Sequence, residues 1–547
     1  MVVGAGPAGI ITALEVARGG FDVLLVESGR ETFSSAIQHL ADAAELDSER
    51  HATMWLATRR AVGGTSVIWG GRCVPYDPVD FERRPFAADA AWPVTYDDIA
   101  PFFQRACDWL VCGRAVFDAM QIEHLPNTLV PGLPDGEVRT SMLERWSLPT
   151  NFGKEYREQL RRAARVRLIT GLTCTEIVCG SGNNRVAHLE CRTLEGKRVR
   201  VTGRAHVVAC GGLESTRLLL VSRGPHGGAL GDHSGHLGRW YMGHVEGSVA
   251  NVHFFTPPRA TIFGYERDLD GVYLRRRVSF TRALQLEHEL PNIVAWLANP
   301  ELADPRHRKG ELSFAYLALT SPLGRLLAPD AQRLSLTGNR IPGSPYGGAE
   351  KGTLREHLRN IVADAGSVAR FAVGFGAGRF LARERHVPGF FVYSPRNVYP
   401  LQYHAEHCPN SASTVALAGE RDAVEMPRLR IDIRFSPKDI DGVIRAHELL
   451  DNYLRRANCG RLNYLTDDVA EEVSRRLGGG FHQVGTTRMS ARPEDGVVDR
   501  HLAVHGVENL YVASSSTFVT SSQANSTFMI VAFAVRLADD LRLVLRR

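Results

Sequence analysis

Phe481-His482-Gln483-Val484-Gly485-Thr486-Thr487-Arg488-Met489 opens the stretch on which the reading of this chain turns. A strand-like run, Asn509-Leu510-Tyr511-Val512-Ala513, follows, then a polar segment over 514–522 that starts Ser514-Ser515. Ala524-Asn525-Ser526-Thr527 leads into an apolar helical run, Phe528-Met529-Ile530-Val531-Ala532-Phe533-Ala534-Val535-Arg536-Leu537. A helix that starts after Asn-Ser-Thr offers unpaired backbone N–H groups and the positive end of its dipole. Such an end suits an anion, whether a phosphate or the negative charge on a reduced ring. His482 beside it would pair a base that titrates near neutrality with an anion-stabilising site. Taken singly, a loop histidine is usually structural and Asn before Ser-Thr is usually a cap. The other end of the chain changes that balance.

The chain begins Met1-Val2-Val3 and continues Gly4-Ala5-Gly6-Pro7-Ala8-Gly9, a helix-like run to Gly19-Gly20, and the strand Phe21-Asp22-Val23-Leu24-Leu25-Val26 ending in Glu27. This is the G-x-G-x-x-G dinucleotide fingerprint with its acidic residue in place. Gly4 permits the tight turn, Gly6 the approach of a pyrophosphate, and Gly9 the close packing of helix on strand. Glu27 can accept both ribose hydroxyls. The first strand is short for this motif, so the start reads either as truncated or as preceded by a few residues in the native protein. The fingerprint alone does not separate FAD from NAD. Further on, Val62-Gly63-Gly64-Thr65-Ser66-Val67-Ile68-Trp69-Gly70-Gly71 carries two glycine pairs around hydroxyl residues. That pattern fits backbone lying against a large flat ligand, or a plain glycine-rich turn.

Composition narrows the classes. At 547 residues two domains or one elaborated domain are expected. Hydrophobic content of 44% and 23% charged residues are those of a globular enzyme. No run approaches the roughly 18 apolar residues of a membrane span. The net charge of +5 is mild and spread along the chain, which does not indicate nucleic-acid binding. No basic leader with a cleavage site is visible, and nine cysteines without Cys-x-x-Cys spacing argue against a disulfide framework or zinc site. Reduced thiols in a cytoplasm are expected.

The chain resembles the glucose–methanol–choline (GMC) oxidoreductases. The resemblance rests on Gly4 to Gly9 with Glu27, Gly63-Gly64-Thr65-Ser66 with Trp69-Gly70-Gly71, Ala209-Cys210-Gly211-Gly212-Leu213-Glu214-Ser215, and the terminal block from His482. Within the family it is most similar to the bacterial pyranose-oxidase-like, glycoside-oxidising branch, through Gly63 to Gly71, Glu406-His407-Cys408-Pro409-Asn410 and the terminal His and Asn. Three positions depart from the family pattern. Ile68 stands where relatives with covalent flavin have His, Ser514 where many have Asp, and Ser526 where most have Pro.

The resemblance implies an α/β architecture: a Rossmann-like FAD domain and a discontinuous substrate domain on an antiparallel sheet, as in p-hydroxybenzoate hydroxylase. Residues 1–238 and 478–547 would form the FAD domain, and 239–477 the substrate domain with an insertion at 304–386 bordering the entrance. It implies non-covalent FAD, His482 as base and Asn525 as its partner on the substrate oxygen. It places flavin contacts at Gly4, Gly6, Pro7, Ala8, Gly9, Glu27, Gly63, Gly64, Thr65, Ser66, Trp69, Gly70, Gly71, Cys174, Ala209, Gly211, Ser514, Ser515, Asn525, Ser526 and Thr527, and no metal. The implied reaction oxidises a sugar or glycoside secondary alcohol at C2 or C3, with oxygen or another oxidant as acceptor. Another metabolite alcohol, such as an aminoglycoside or sterol, is the alternative: an acidic pocket would favour the first and an apolar one the second. A nicotinamide dehydrogenase would need no terminal His and Asn, and a non-catalytic flavin protein would not bleach with any alcohol.

Strands are predicted over 166–177, 188–193 and 197–202 as a small antiparallel sheet, and over 247–255, 271–281, 292–297 and 429–435 as an open one. The Gly-rich stretch at 368–383 reads as an ordinary packed helix before a membrane-surface one.

Overall fold

The computed structural model describes all 547 residues except 88, 181–183, 225, 226 and 234. Its first sheet is parallel. Val2–Val3 lies at the centre, flanked by Val23–Glu27 and His206–Val208, with Val166–Thr170 and Leu510–Val512 outermost. These strands are almost wholly apolar because helices cover both faces of such a sheet. Helices Pro7–Arg18 and Thr527–Arg546 supply part of that cover, their Ile10, Ile11, Phe528 and Val531 fully buried. Gly9 faces the turn so closely that a Cβ there would stand 1.8 Å from Gly4 O. The predicted strand at 166–177 divides in two: Gly171, at φ +71°, breaks it. Val166–Thr170 joins the parallel sheet, and only Thr173–Cys179 pairs antiparallel with Val186–Arg192, which Arg198–Val201 flanks.

The second large sheet has six strands, in the order Gly460–Tyr464, His244–Phe254, Val398–Glu406, Ile293–Leu297, Val278–Phe280 and Val138–Arg139. Its two faces differ as period-2 alternation requires. Val245, Val249, Leu401, Tyr403 and Ala405 pack in one core with Val443, Ala446 and Leu450 of the helix Pro437–Arg456. The opposite face carries His244, Glu246, Gln402, His404 and Trp296, in direct register Glu246↔His404 and Trp296↔Gln402. Three strand predictions change. The stretch 271–281 splits, Tyr273–Arg276 joining a separate four-stranded sheet. The strand predicted over 429–435 in the open sheet is found at Pro427–Asp432 and pairs instead with Thr414–Arg421 and Glu45–Leu46. The central strand Val398–Glu406 went unread because Pro400 and the side chains of Gln402, His404 and Glu406 break its apolar pattern.

Within 304–386, helices Gly310–Thr320, Leu354–Ala363 and Ala365–Gly376 form a cap, and Ala377–Leu381 continues it as one π turn. The helix predicted to be packed is largely exposed: only Val368 of Ala365–Gly376 is buried. The loop joining this cap crosses the polar sheet face, with Gln402 Nε2 donating to Pro345 O at 3.2 Å. A Cβ on Gly478 would lie 2.7 Å from Gly343 N, so the loop also presses on the segment leading to His482. No helix among the described residues is long and apolar enough to cross a membrane.

Candidate active site

A cleft of about 1440 Å³ of empty space, part of it open to solvent, runs from the glycine turn to His482. Its geometry follows from helix ends. Pro7–Arg18, Gly212–Val221 and Thr527–Arg546 all begin at this cleft, at Gly6, Gly211 and Ser526, and none of the three has a side-chain cap. Leu213 N donates to Gln483 Oε1 at 3.3 Å; the remaining free N–H groups and the dipoles point at whatever fills the cleft. A Cβ on Gly211, at φ +85°, would meet nothing within 4 Å. Across the cleft, Gly64 stands so near Gly6 that its Cβ would come within 2.9 Å of the Gly6 Cα. Three amide-rich ends and paired glycines around a long slot fit a dinucleotide with a diphosphate and a flat ring system.

Most of the residues singled out from sequence line this slot: Gly4, Gly6, Pro7, Ala8, Glu27, Gly64, Thr65, Ser66, Trp69, Cys174, Ala209, Gly211, Ser514, Ser515, Ser526, Thr527 and His482. Gly9, Gly63, Gly70, Gly71 and Asn525 do not. Gly9 packs helix on turn, Gly63 at φ +98° abuts the Gly153 backbone, Gly71 abuts Ser147 O, and Gly70 is exposed. Glu27 is tied down by its own loop, its carboxylate accepting from Ala5 N and Gly29 N, both at 2.6 Å. Burial raises its pKa against the pull of these amides and of Arg60. Arg60 and Glu214 also line the cleft and pair at 2.5 Å, with Arg60 Nη1 on Ser28 Oγ at 2.9 Å. The sequence reading passed over this pair, although Arg60 ends the run before the glycines and Glu214 lies in the quoted Gly-Gly-Leu-Glu-Ser.

The terminal block folds as one piece. The polar run from Ser514 is buried because its groups bond one another, the His482 segment, the N-terminal loops and His407. Ser515 Oγ donates to Gln483 O at 2.7 Å, Thr487 N to Ser516 O at 2.8 Å, and Ser522 Oγ to Asp80 at 2.6 Å. This brings Asn525 Nδ2 to 2.9 Å from His482 Nε2. Asn525 therefore does not cap the helix it precedes. Its Oδ1 is buried and has no partner among the described residues. Loss of water around His482 lowers its pKa to about 4; the Glu246 charge pulls it up, and His404 and Arg72 push it down.

The polar sheet face closes the site beyond His482. His244 and His482 rings lie 4.7 Å apart between centroids, His244 and His404 4.1 Å. Burial, followed by the neighbouring His404 and His482, holds the His244 pKa well below its ordinary value. Burial works against the Glu246 carboxylate, but His404, His482 and Arg72 together outweigh it and leave the Glu246 pKa lowered. Trp296, on the same face, is stacked by the guanidinium groups of Arg275 at 4.2 Å and Arg72 at 5.0 Å, and both arginines pair with Glu144.

Comparison with known proteins agrees with this geometry. Residues 409–534 match the family model described as GMC oxidoreductase. The chain is 24% identical to the 6'''-hydroxyparomomycin C oxidase of Streptomyces lividus, over 98% of this chain and 89% of that one. It is 22% identical to the paromamine 6'-oxidase of Streptomyces fradiae, over 98% and 90%. The crystal structure of pyridoxine 4-oxidase from Mesorbium loti superposes with a TM-score of 0.55 at 16% identity, over 98% of both chains. Residues 409–534 are thus of GMC oxidoreductase type, and the chain is similar over nearly its whole length to oxidases of aminoglycosides and pyridoxine.

Proposed function

We propose that this enzyme oxidises a ring secondary alcohol of a sugar or glycoside, at C2 or C3, to the ketone, with FAD bound non-covalently. The reading is supported above all by the His482–Asn525 pair, buried at the end of the dinucleotide slot with one polar atom, Asn525 Oδ1, still unpartnered. Bound FAD supplies the acceptor for the hydride that leaves the carbinol carbon. Everything else falls to the chain. Asn525 Nδ2 donates to His482 Nε2, which leaves Nε2 as the lone-pair nitrogen and the atom that takes the hydroxyl proton. A pKa near 4 keeps that nitrogen unprotonated at neutral pH, and the Glu246 charge stabilises the imidazolium once formed. The free amides of the helix beginning at Thr527 offer donors to negative charge in the cleft. The FAD domain is read as 1–238 with 478–547, and the substrate domain as 239–477.

The choice of a neutral sugar is supported by the wall around Trp296. Trp296 itself is buried under the two guanidinium groups, whose charge Glu144 offsets, and the polar side chains beside it suit the hydroxyls of a pyranose ring. The aminoglycoside alternative draws on the two relatives named for aminoglycoside substrates. Oxygen or another oxidant returns the enzyme to its starting state. Anaerobic mixing with a panel of glycosides and aminoglycosides, followed by flavin absorbance, tests the reading. Bleaching by glycosides alone is expected; bleaching by aminoglycosides alone sinks the sugar assignment, and no bleaching by any alcohol sinks the whole reading.

A further inference from the structure

His244, His404 and His482 each bring one ring nitrogen within 4.8 Å of the other two. His244 is 3% exposed, and neither of its nitrogens has a hydrogen-bond partner among the described residues. Unpaired imidazole nitrogens in a dry interior are costly, and the roles given to His482 and Asn525 use neither of them. His404 has a definite posture. Its Nδ1 donates to the Gln523 carbonyl at 2.6 Å, and its Nε2 lies 2.8 Å from Glu246 Oε1. A nitrogen anchored to a backbone carbonyl is how metal-ligating imidazoles are commonly held, and it leaves Nε2, which faces the Glu246 carboxylate, as the ligating atom, with room for an ion only if that contact opens. The backbone positions are set by the sheet, since Glu246 is directly opposite His404, and His244 is two residues along the same face.

We propose that His244, His404 and His482, with Glu246 as fourth donor, form a site for one divalent transition-metal ion of the zinc class. Imidazole with carboxylate suits zinc, cobalt, nickel and copper, whereas magnesium and calcium take oxygen donors and keep their water. Zinc–nitrogen bonds of about 2.1 Å place ligand nitrogens roughly 3.4 Å apart around a tetrahedral ion. The cluster closes to that spacing by imidazole rotation, a soft motion for histidine. An ion here engages His482, so it and the alcohol exclude each other. This consequence, unlike the binding itself, rests on His482 being the base.

Titration of the FAD-loaded protein with zinc chloride, followed by calorimetry and metal analysis after dialysis, tests the site. One zinc per chain is expected, with no heat from magnesium chloride. H244Q and E246Q each lower zinc affinity by roughly tenfold or more; two different side chains are used so that a folding defect in one does not decide the matter. Zero stoichiometry, or wild-type affinity in both variants, overturns the proposal. In the same preparation, zinc raises the alcohol concentration needed for half-maximal flavin reduction, and chelator restores it. Zinc that binds at one per chain yet leaves reduction unchanged upholds the site and overturns His482 as the base.

Discussion

His482 and Asn525 act on one oxygen in the proposed reaction, and that sharing is measurable. Removing a positioned base costs on the order of 10²–10⁴-fold in rate, so H482A should slow flavin reduction by about that factor while leaving FAD bound. N525A should slow it as well, and the double variant should fall short of the product of the two, because each single change already disables the common step. Rapid-mixing kinetics on the four proteins decides this; reduction of H482A at the parent rate assigns the base elsewhere. The acid limb offers a second readout. With the His482 pKa lowered to about 4, reduction should stay level from neutral pH to well below 6.5 and drop only near 4. The Glu246 charge raises that pKa, so E246Q should move the limb to still lower pH; a limb that moves up, or stays put, contradicts the arrangement. Of these residues only His482 and Asn525 were legible beforehand, since their neighbours Gly485 and Ser526-Thr527 form a recognisable pattern. His244, Glu246 and His404 lie on strands where polar residues alternate with apolar ones, and that pattern reads as an ordinary solvent-facing edge until the cleft is seen opposite.

At the scale of elements, three helix starts without side-chain caps define the cofactor slot, and the spacing of strand and helix at the first of them is set by Gly9. G9A would drive a Cβ to 1.8 Å from Gly4 O, both on the turn that Glu27 braces through Ala5 N. The expected product is a protein that emerges without flavin and melts several degrees lower, read by absorbance at purification and by calorimetry. Full flavin content in G9A would show that the turn can shift as a unit. The Gly64–Val67 helical turn carries the second element-level claim. Ile68 follows it with a hydrocarbon side chain, so no bond to the flavin can form there, and acid precipitation should leave the yellow colour in the supernatant. Colour held in the washed pellet would locate a covalent link at another side chain. The first β-α-β unit was legible because glycines, an apolar period and a terminal Glu coincide over 27 residues. Strand ownership was not. Residues 429–435 read as a strand by composition, but which sheet the strand joins depends on Glu45–Leu46, almost 400 positions away, and local pattern is blind to that pairing.

The molecule as a whole buries histidines in a way that sets its response to acid. His51, His206, His307, His447 and His482 all have pKa values lowered to about 4, chiefly by burial, and His244 lies well below its ordinary value. In the unfolded chain each returns to about 6.5. Between those values the unfolded state holds more protons, so the stability these groups contribute is complete above about pH 6.5 and is lost as pH falls towards 4. Asp80 works in the opposite sense. Burial, with Asp77 and Glu406 beside it, raises its pKa to about 8, so its contribution is present in acid and is lost as pH climbs towards 8. Burial raises the Glu27 and Glu301 carboxyls as well, and six imidazoles against three carboxyls still leave the balance with the histidines below neutrality. Several of them also sit at joints: His51 bonds Tyr241 at 2.7 Å across 190 residues, and His404 reaches the terminal block through Gln523 O. Protonation therefore loosens contacts between distant parts of the chain as well as charging the interior. The melting temperature of the FAD-loaded protein should decline gently from pH 6.5 to 8, reach its maximum near 6.5 to 7, and fall steeply from 6.5 to 4.5, with flavin released at the melting transition. Calorimetry with flavin fluorescence across that range checks both parts. A melting temperature that holds level down to pH 4.5 would mean that these histidines take up protons in the folded state at no cost, and the buried-neutral account of all six would fail together.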